Sequence, residues 1–371
     1  MTKQSPPSAT KTNGKKGPKG TNQLTGSSKF RAAPPSRITH LRVRGTGKHV
    51  ELPAITTFTI GREPTRGDPA EPRADVLLPS PKKGVSLVHA TFEWRKDRLW
   101  CRDAGSTNGT HANHEPQTDW FNVTSGMRLD LGDVSVIAMD WRLTELCEPL
   151  AWCLGLDSIR DVDRAVALVQ KDTPLLLTGP RGCDQAWLAQ KIHEASIRRE
   201  QPFTSFTDKL PRGAEKDLAN ARFGTVFVDL SSAGKVTAGF ANALFEGQPP
   251  YLALRPIIGA STHVESQRAF RQLAQGHALE LPALASRRHE ILRLLDRLMK
   301  LHGSPQGIRD LGARWIDRLV EYPWPHNLQE LREAERRIRA LLSADSTAQA
   351  ARQVGISRQA LDKFVRRVLE G

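Results

Sequence analysis

From about His40 to Leu143, short runs of alternating apolar and polar residues recur: THLRVR, TTFTIGR, ADVLLP, HATFEWRKDRLWCRD and VSVIAMDWRL. They carry β-branched or aromatic residues and are separated by Gly, Pro, Asn and Asp. Period-two patterning with such punctuation predicts strands, and their density predicts an all-β sandwich over 39–145. From Leu150 the texture changes. Solid apolar runs, TPLLLTG, GTVFVDL and LRPIIGAS, alternate with amphipathic stretches. A strand covered on both faces needs apolar residues throughout, so an α/β domain with a parallel sheet is predicted over 150–285. Segment 286–342 reads as mostly helical, and 343–371 as two short helices around VGIS. Gly355 suits the turn between those two, and Ser357 is a good N-cap for the second. Leu361, Phe364, Val365 and Val368 then fall on one apolar stripe at three- and four-residue spacing.

Charge changes this picture at one end. The 371-residue chain carries a formal charge of +14, so an anionic partner is expected, nucleic acid first. Met1–Arg37 holds eight Lys or Arg and no Asp or Glu, among many Gly, Pro, Ser and Thr. Such a stretch buries too little apolar surface to offset its ordering entropy, so 1–38 is expected to be a disordered basic tail. No run approaches the ~20 apolar residues of a membrane span, and the N-terminus lacks the apolar core of a signal peptide. Cys101, Cys147, Cys153 and Cys183 lack metal-ligand spacing, which fits a reducing cytoplasm and no metal site.

Three loop motifs sit between the first strands: IGRE at Ile60–Glu63, GVSLVH at Gly84–His89 and DAGSTNGT at Asp103–Thr110. With GR, SxxH and NG in this order over about a hundred residues, the region resembles a forkhead-associated (FHA) domain. The resemblance implies recognition of a phosphothreonine peptide by loops at one end of a sandwich. A phosphate dianion calls for a guanidinium, hydroxyls and N–H donors. Arg62 would supply charge, Ser86 and Thr107 hydroxyls, and Asn108 a grip on the peptide backbone. Gly61, His89 and Gly109 would be structural, and Lys83 a further cation. Leu87 stands where the family often has a basic residue.

The α/β region carries TPLLLTGPRGCDQAW, ANARFGTVFVDL, LRPIIGAST, LELPALASRRHEI and YPWPHNLQEL in order. Over about Leu150–Leu341 it resembles the AAA+ domain of sigma-54-dependent transcription activators, a P-loop NTPase-like fold with a helical subdomain over 286–342. A working phosphate loop needs glycines and a lysine. Gly179 and Gly182 remain, but Asp184 stands at a glycine position and Gln185 at the lysine. Two unit charges ~5 Å apart at an effective dielectric of ~20 interact by roughly 3 kcal/mol, so Asp184 is expected to repel a triphosphate. Asp229 could still hold magnesium, yet Leu230 replaces the family's catalytic glutamate. Thr262 and Gln329 replace its sensor residues, and its GAFTGA loop has no counterpart. No catalytic residue and no ATP or magnesium cofactor are expected: the domain reads as a pseudo-ATPase.

The last twenty-five residues resemble the Fis-type helix-turn-helix that ends the same family. That implies a recognition helix with Arg358 and Gln359 on base edges and Lys363, Arg366 and Arg367 on phosphates. The combined expectation is a multidomain, cytoplasmic bacterial transcription regulator. It would bind a phosphothreonine protein made by a threonine kinase, bind double-stranded DNA, and be at least a dimer, as a two-fold operator requires. Two readings stay open beside it: an ATP-driven activator with an atypical phosphate loop, and a phosphopeptide-binding adaptor with no DNA role.

Overall fold

In the computed structural model, the described residues are 32–33, 36–70, 72–233, 236, 238–245, 254–261 and 277–370. Most of the basic tail and Thr262 lie outside them.

The alternating runs become two sheets. In the six-stranded sheet the order is β2 (His49–Glu51), β1 (Ile38–Val43), β11 (Val134–Asp140), β10 (Arg128–Leu131), β7 (Thr110–Ala112), β8 (Glu115–Gln117). In the five-stranded sheet it is β4 (Val76–Leu78), β3 (Thr57–Arg62), β5 (Ala90–Arg95), β6 (Arg98–Asp103), β9 (Phe121–Val123). Inward-facing Phe58, Ile60, Phe92, Leu99, Leu41, Leu129 and Val136 fill the space between them. Phe58 and Phe92 are register partners on β3 and β5, and their rings stack at 5.4 Å. The sandwich expectation is met here.

One run behaves differently from its reading. VSVIAMDWRL leaves the sheet at Asp140, and Trp141–Leu154 is a helix, α1. Asp140 is its N-cap, accepting a hydrogen bond from Leu143 N at 2.9 Å. Leu143, Leu146 and Leu150 recur at helical spacing and join the α/β core rather than the sandwich. The two units therefore follow each other without a linker, and α1 runs across 145–150. A buried ion pair also joins them. Arg42 Nε on β1 meets Asp163 Oδ1 on α2 (Ile159–Val169) at 2.7 Å, and Asp163 Oδ2 accepts from Gly45 N at 2.8 Å.

The α/β sheet is all parallel, ordered β13 (Phe203–Phe206), β14 (Thr225–Asp229), β15 (Arg255–Ala260), β12 (Leu175–Thr178), β16 (Ala278–Glu280). Successive residues of β12 point to opposite faces: Leu175 and Leu177 enter one core and Leu176 the other. Helix α3 (Gln185–Ala195) follows β12, and α4 (Ala214–Asn220) and α5 (Ala238–Phe245) follow later strands. The helical part holds α6 (Ile291–Leu301), α7 (Ala313–Glu321) and α8 (Asn327–Ser343). Helix α9 (Thr347–Val354) ends at Gly355 with φ +76°, and Ser357 caps α10 (Arg358–Phe364) through Ala360 N at 3.1 Å. Leu361, Phe364 and Val368 are buried against α7 and α8, in the same core as β12. Among the described residues, no helix is long and apolar enough to cross a membrane.

Candidate functional site

Three loops converge at one end of the sandwich. Arg62, the last residue of β3, donates its N–H to Ser86 O at 3.0 Å. Ser86 Oγ accepts from Thr107 N at 3.1 Å, and Asn108 Nδ2 donates to Gly84 O at 2.8 Å. The four expected phosphopeptide residues are thus brought together, with the Thr107 and Asn108 side chains exposed. Gly61 is needed where it stands: a Cβ would lie 1.9 Å from Leu87 O. His89 is fully buried and ties its own loop to the DAGSTNGT loop, accepting from Ser86 N through Nδ1 and donating to Gly109 O through Nε2, each at 3.1 Å.

Burial holds the His89 imidazole below its ordinary 6.5 and keeps Nδ1 an acceptor. Because the folded value is the lower one, the unfolded chain binds the proton first. The contact's stability is full above about 6.5 and drains away as pH falls through the folded value. The His89 ring is expected to titrate with an NMR midpoint below 6.5, with the sandwich melting at lower temperature as it protonates. A midpoint at or above the ordinary value would contradict the brace.

Two residues were missed in the sequence. Asp103 ties the DAGSTNGT loop, accepting from Ser106 N at 2.8 Å, Ser106 Oγ at 2.6 Å and Thr110 Oγ1 at 2.8 Å. Its Asp-x-x-Ser spacing was the available signal. Asp68 had none. Both of its oxygens take the Arg62 fork, at 2.5 and 2.6 Å, and Oδ2 also accepts from Thr65 N and Oγ1 at 2.6 and 2.8 Å. These bonds, Arg62's first, hold the Asp68 carboxyl far below the usual carboxylate range. Arg62 is therefore not an open cation. A phosphate must share or displace Asp68.

The loop after β12 is filled by its own side chains. Gln185 folds its amide onto strand-end carbonyls, donating to Leu177 O at 3.1 Å and Ala260 O at 3.0 Å. Gly179 packs against Leu281, whose carbonyl oxygen would lie 2.7 Å from a Cβ. The first turn of α8 closes on the loop. A Cβ on Gly182, φ +85°, would lie 2.0 Å from His326 O, and Gly182 O accepts from Gln329 N at 3.1 Å. Asn327 Nδ2 likewise donates to Arg181 O at 2.8 Å.

The expected role of Asp184 needs correction. Its backbone is left-handed, φ 60° and ψ 29°, a region glycine enters freely and Asp tolerates better than most residues. Its carboxylate is not an unopposed charge, because Oδ1 accepts from Arg332 Nη1 at 2.8 Å and Oδ2 from Trp152 Nε1 at 3.0 Å. Arg332 in turn stacks over Trp152 and Trp187, at 5.4 and 5.1 Å from the ring centres. Burial raises the Asp184 carboxyl above its usual range, and Arg332 pulls the other way. Local neutralisation replaces the repulsion of about 3 kcal/mol expected of a bare carboxylate. Asp229 is folded on its own turn, accepting from Ser231 N at 2.9 Å and Ser232 Oγ at 3.0 Å, and the half-buried Leu230 packs against the core beside it. Burial pushes the Cys183 thiol up to about 12, so it is no nucleophile at neutral pH.

Asp157, His289 and Glu290 lie close enough to share a cation. Arg293 holds Asp157 at 2.7 Å and Arg287 holds Glu290 at 3.2 Å, so both carboxylates already have cations. At the C-terminus the five expected DNA contacts divide. All five are exposed, but only Lys363 and Arg367 line the cleft against α8. Arg367 donates there to Glu330 at 3.1 Å.

Residues 58–132 match the FHA domain family, and the sandwich is an FHA domain. Among curated proteins, the acetoin catabolism regulatory protein of Cupriavidus necator is 29% identical over 48% of this chain, which spans 33% of that relative's length. Among solved structures, NtrX from Brucella abortus in complex with ATP aligns over 62% of this chain and 68% of its own, at 17% identity and a TM-score of 0.42. The FHA domain of the CT664 protein from Chlamydia trachomatis aligns over 29% of this chain and 99% of its own, at 22% identity and a TM-score of 0.24.

Proposed function

We propose that this chain is a bacterial transcription regulator of the sigma-54 activator type that reads a phosphothreonine protein through its FHA domain and binds double-stranded DNA through its C-terminal helices. The carrying observation is the convergence of Arg62, Ser86, Thr107 and Asn108 at one end of an FHA sandwich. The partner's phosphate would take the Arg62 guanidinium and the Ser86 and Thr107 hydroxyls, while Asn108 holds its backbone. Arg358, Gln359 and Arg366, exposed on α10 and just beyond it, would meet the DNA, and pairing of two copies would match a two-fold operator.

In this reading the α/β domain is a scaffold without ATP hydrolysis. Gln185 filling the loop, Asp229 bound to its own turn and Leu230 in place of a carboxylate all support that. Radiolabelled ATP incubated at high protein concentration is expected to show no turnover above the blank. Turnover abolished by Asp229→Ala would establish the ATP-driven alternative instead.

Asp68 gives the phosphopeptide site its own test. If the carboxylate competes with phosphate for Arg62, Asp68→Asn frees the fork while an amide can still accept from Thr65. Affinity for phosphothreonine peptides should rise, by roughly three- to tenfold, the difference between a charged and a neutral competitor. Calorimetric titration measures this, and weaker binding in the variant would mean that Asp68 positions Arg62 rather than competing with phosphate.

A further inference from the structure

The C-terminal helix has a second charged side. Lys363 and Arg367 lie where it meets α8, along a cleft of about 470 Å³ that also takes in Arg181 of the loop after β12. Four cationic side chains gather there: Arg181, Arg337, Lys363 and Arg367. Two are already engaged. Arg367 donates to Glu330 at 3.1 Å, and Arg337 reaches Glu333 at 3.5 Å while covering the Phe364 ring at 5.1 Å. Arg181 and Lys363 are exposed, and neither side chain has an ion-pair or hydrogen-bond partner among the described residues. Glu330 and Glu333 offset Arg367 and Arg337, which leaves the Arg181 and Lys363 charges uncompensated around one concavity.

We propose that this cleft binds a small anion carrying a diphosphate or longer polyphosphate group, which bridges Arg181 and Lys363. Its volume falls in the range of small-ligand pockets, roughly 300–1,000 Å³. Guanidinium forks and a lysine point charge are the groups that hold multiply charged phosphates. The site is separate from the interior of the ancestral loop, which the Gln185 side chain occupies. DNA phosphates are the poorer match, since Lys363 lines the cleft with Arg181, whereas Arg358, Gln359 and Arg366 lie outside it. A bound anion ties the loop after β12 to the C-terminal helix and fixes that helix against α8. This goes beyond the function proposed above and requires neither the phosphothreonine nor the DNA reading.

Calorimetry of the intact chain with sodium pyrophosphate, and separately with ADP, both at low salt without magnesium, tests it. One saturable site is expected for each ligand. The Arg181→Ala, Lys363→Ala double variant should weaken both by at least about tenfold, as the loss of two charge-assisted contacts requires. Lys363→Glu should abolish binding. Both positions are exposed, so an unchanged melting temperature shows that these variants remain folded. Arg62→Ala should leave the site intact, which separates failure here from failure of the phosphothreonine reading. Equal affinities identify the polyphosphate as the recognised group, and tighter ADP binding identifies a nucleotide; either supports the proposal. It is overturned by the absence of a saturable site, by binding that survives the double substitution, or by a Lys363→Ala variant that weakens DNA binding and leaves pyrophosphate untouched.

Discussion

Replacing Arg62 by alanine is expected to weaken phosphothreonine-peptide binding about a hundredfold. Two effects add. The phosphate loses a bidentate, charge-assisted guanidinium contact. Asp68 also loses the fork that neutralises it, at 2.5 and 2.6 Å, and its carboxylate then faces the incoming dianion. The second effect supplies a control that a purely structural role cannot imitate: Arg62→Ala, Asp68→Ala should recover part of the lost affinity. Fluorescence anisotropy with paired phosphorylated and unphosphorylated peptides measures both. Equal binding of the two peptides by the unaltered chain would remove the site.

The second large effect lies in the loop after β12. Asp184→Ala is expected to destabilise the α/β domain by about 3 kcal/mol, lowering its melting temperature by about 6–12 °C for a domain of this size. Alanine in the left-handed conformation at φ 60° costs roughly 1–2 kcal/mol. Removing the carboxylate also orphans Trp152 Nε1 and leaves Arg332 uncompensated between two indole rings. Water reaching the outer edge of Arg332, 35% exposed, offsets part of that loss. Asp184→Asn, which tolerates the same backbone and keeps an acceptor, should cost less than half as much. A melting point within a degree of the unaltered chain for Asp184→Ala would mean that this contact is idle.

Much of the fold was legible because local physics wrote it. The alternation in TTFTIGR and HATFEWR gave β3 and β5, the solid apolar runs gave β12, β14 and β15, and Ser357 marked the start of α10. The start of α1 was missed because VSVIAMD runs straight into WRLTELC. The cap was written at Asp140, and Leu143, Leu146 and Leu150 already had helical spacing.

The sites divide in the same way. Arg62, Ser86, His89 and Asn108 fall in loop motifs whose order survives in the sequence, so they could be found. The partners that set their charge could not. Asp68 sits six residues past Arg62 in a loop without periodicity, and Arg332 reaches Asp184 from 148 residues away. From sequence, Asp184 looked like a charge added to a phosphate site. With Arg332 and Trp152 around it, the residue belongs to a joint between the sheet and the helical part. Lys363 and Arg367 show the same limit: their basic character was visible, their turn toward α8 was not.

The proposed function puts phosphothreonine recognition and DNA binding on one chain, and its expected consequence is that the first controls the second. Genome-wide mapping of the DNA bound by the intact chain and by its Arg62→Ala variant tests that coupling most directly. Discrete sites for the intact chain, lost or redistributed in the variant at equal protein level, are the predicted result. No enrichment above background, or an identical set of sites for both proteins, would contradict it.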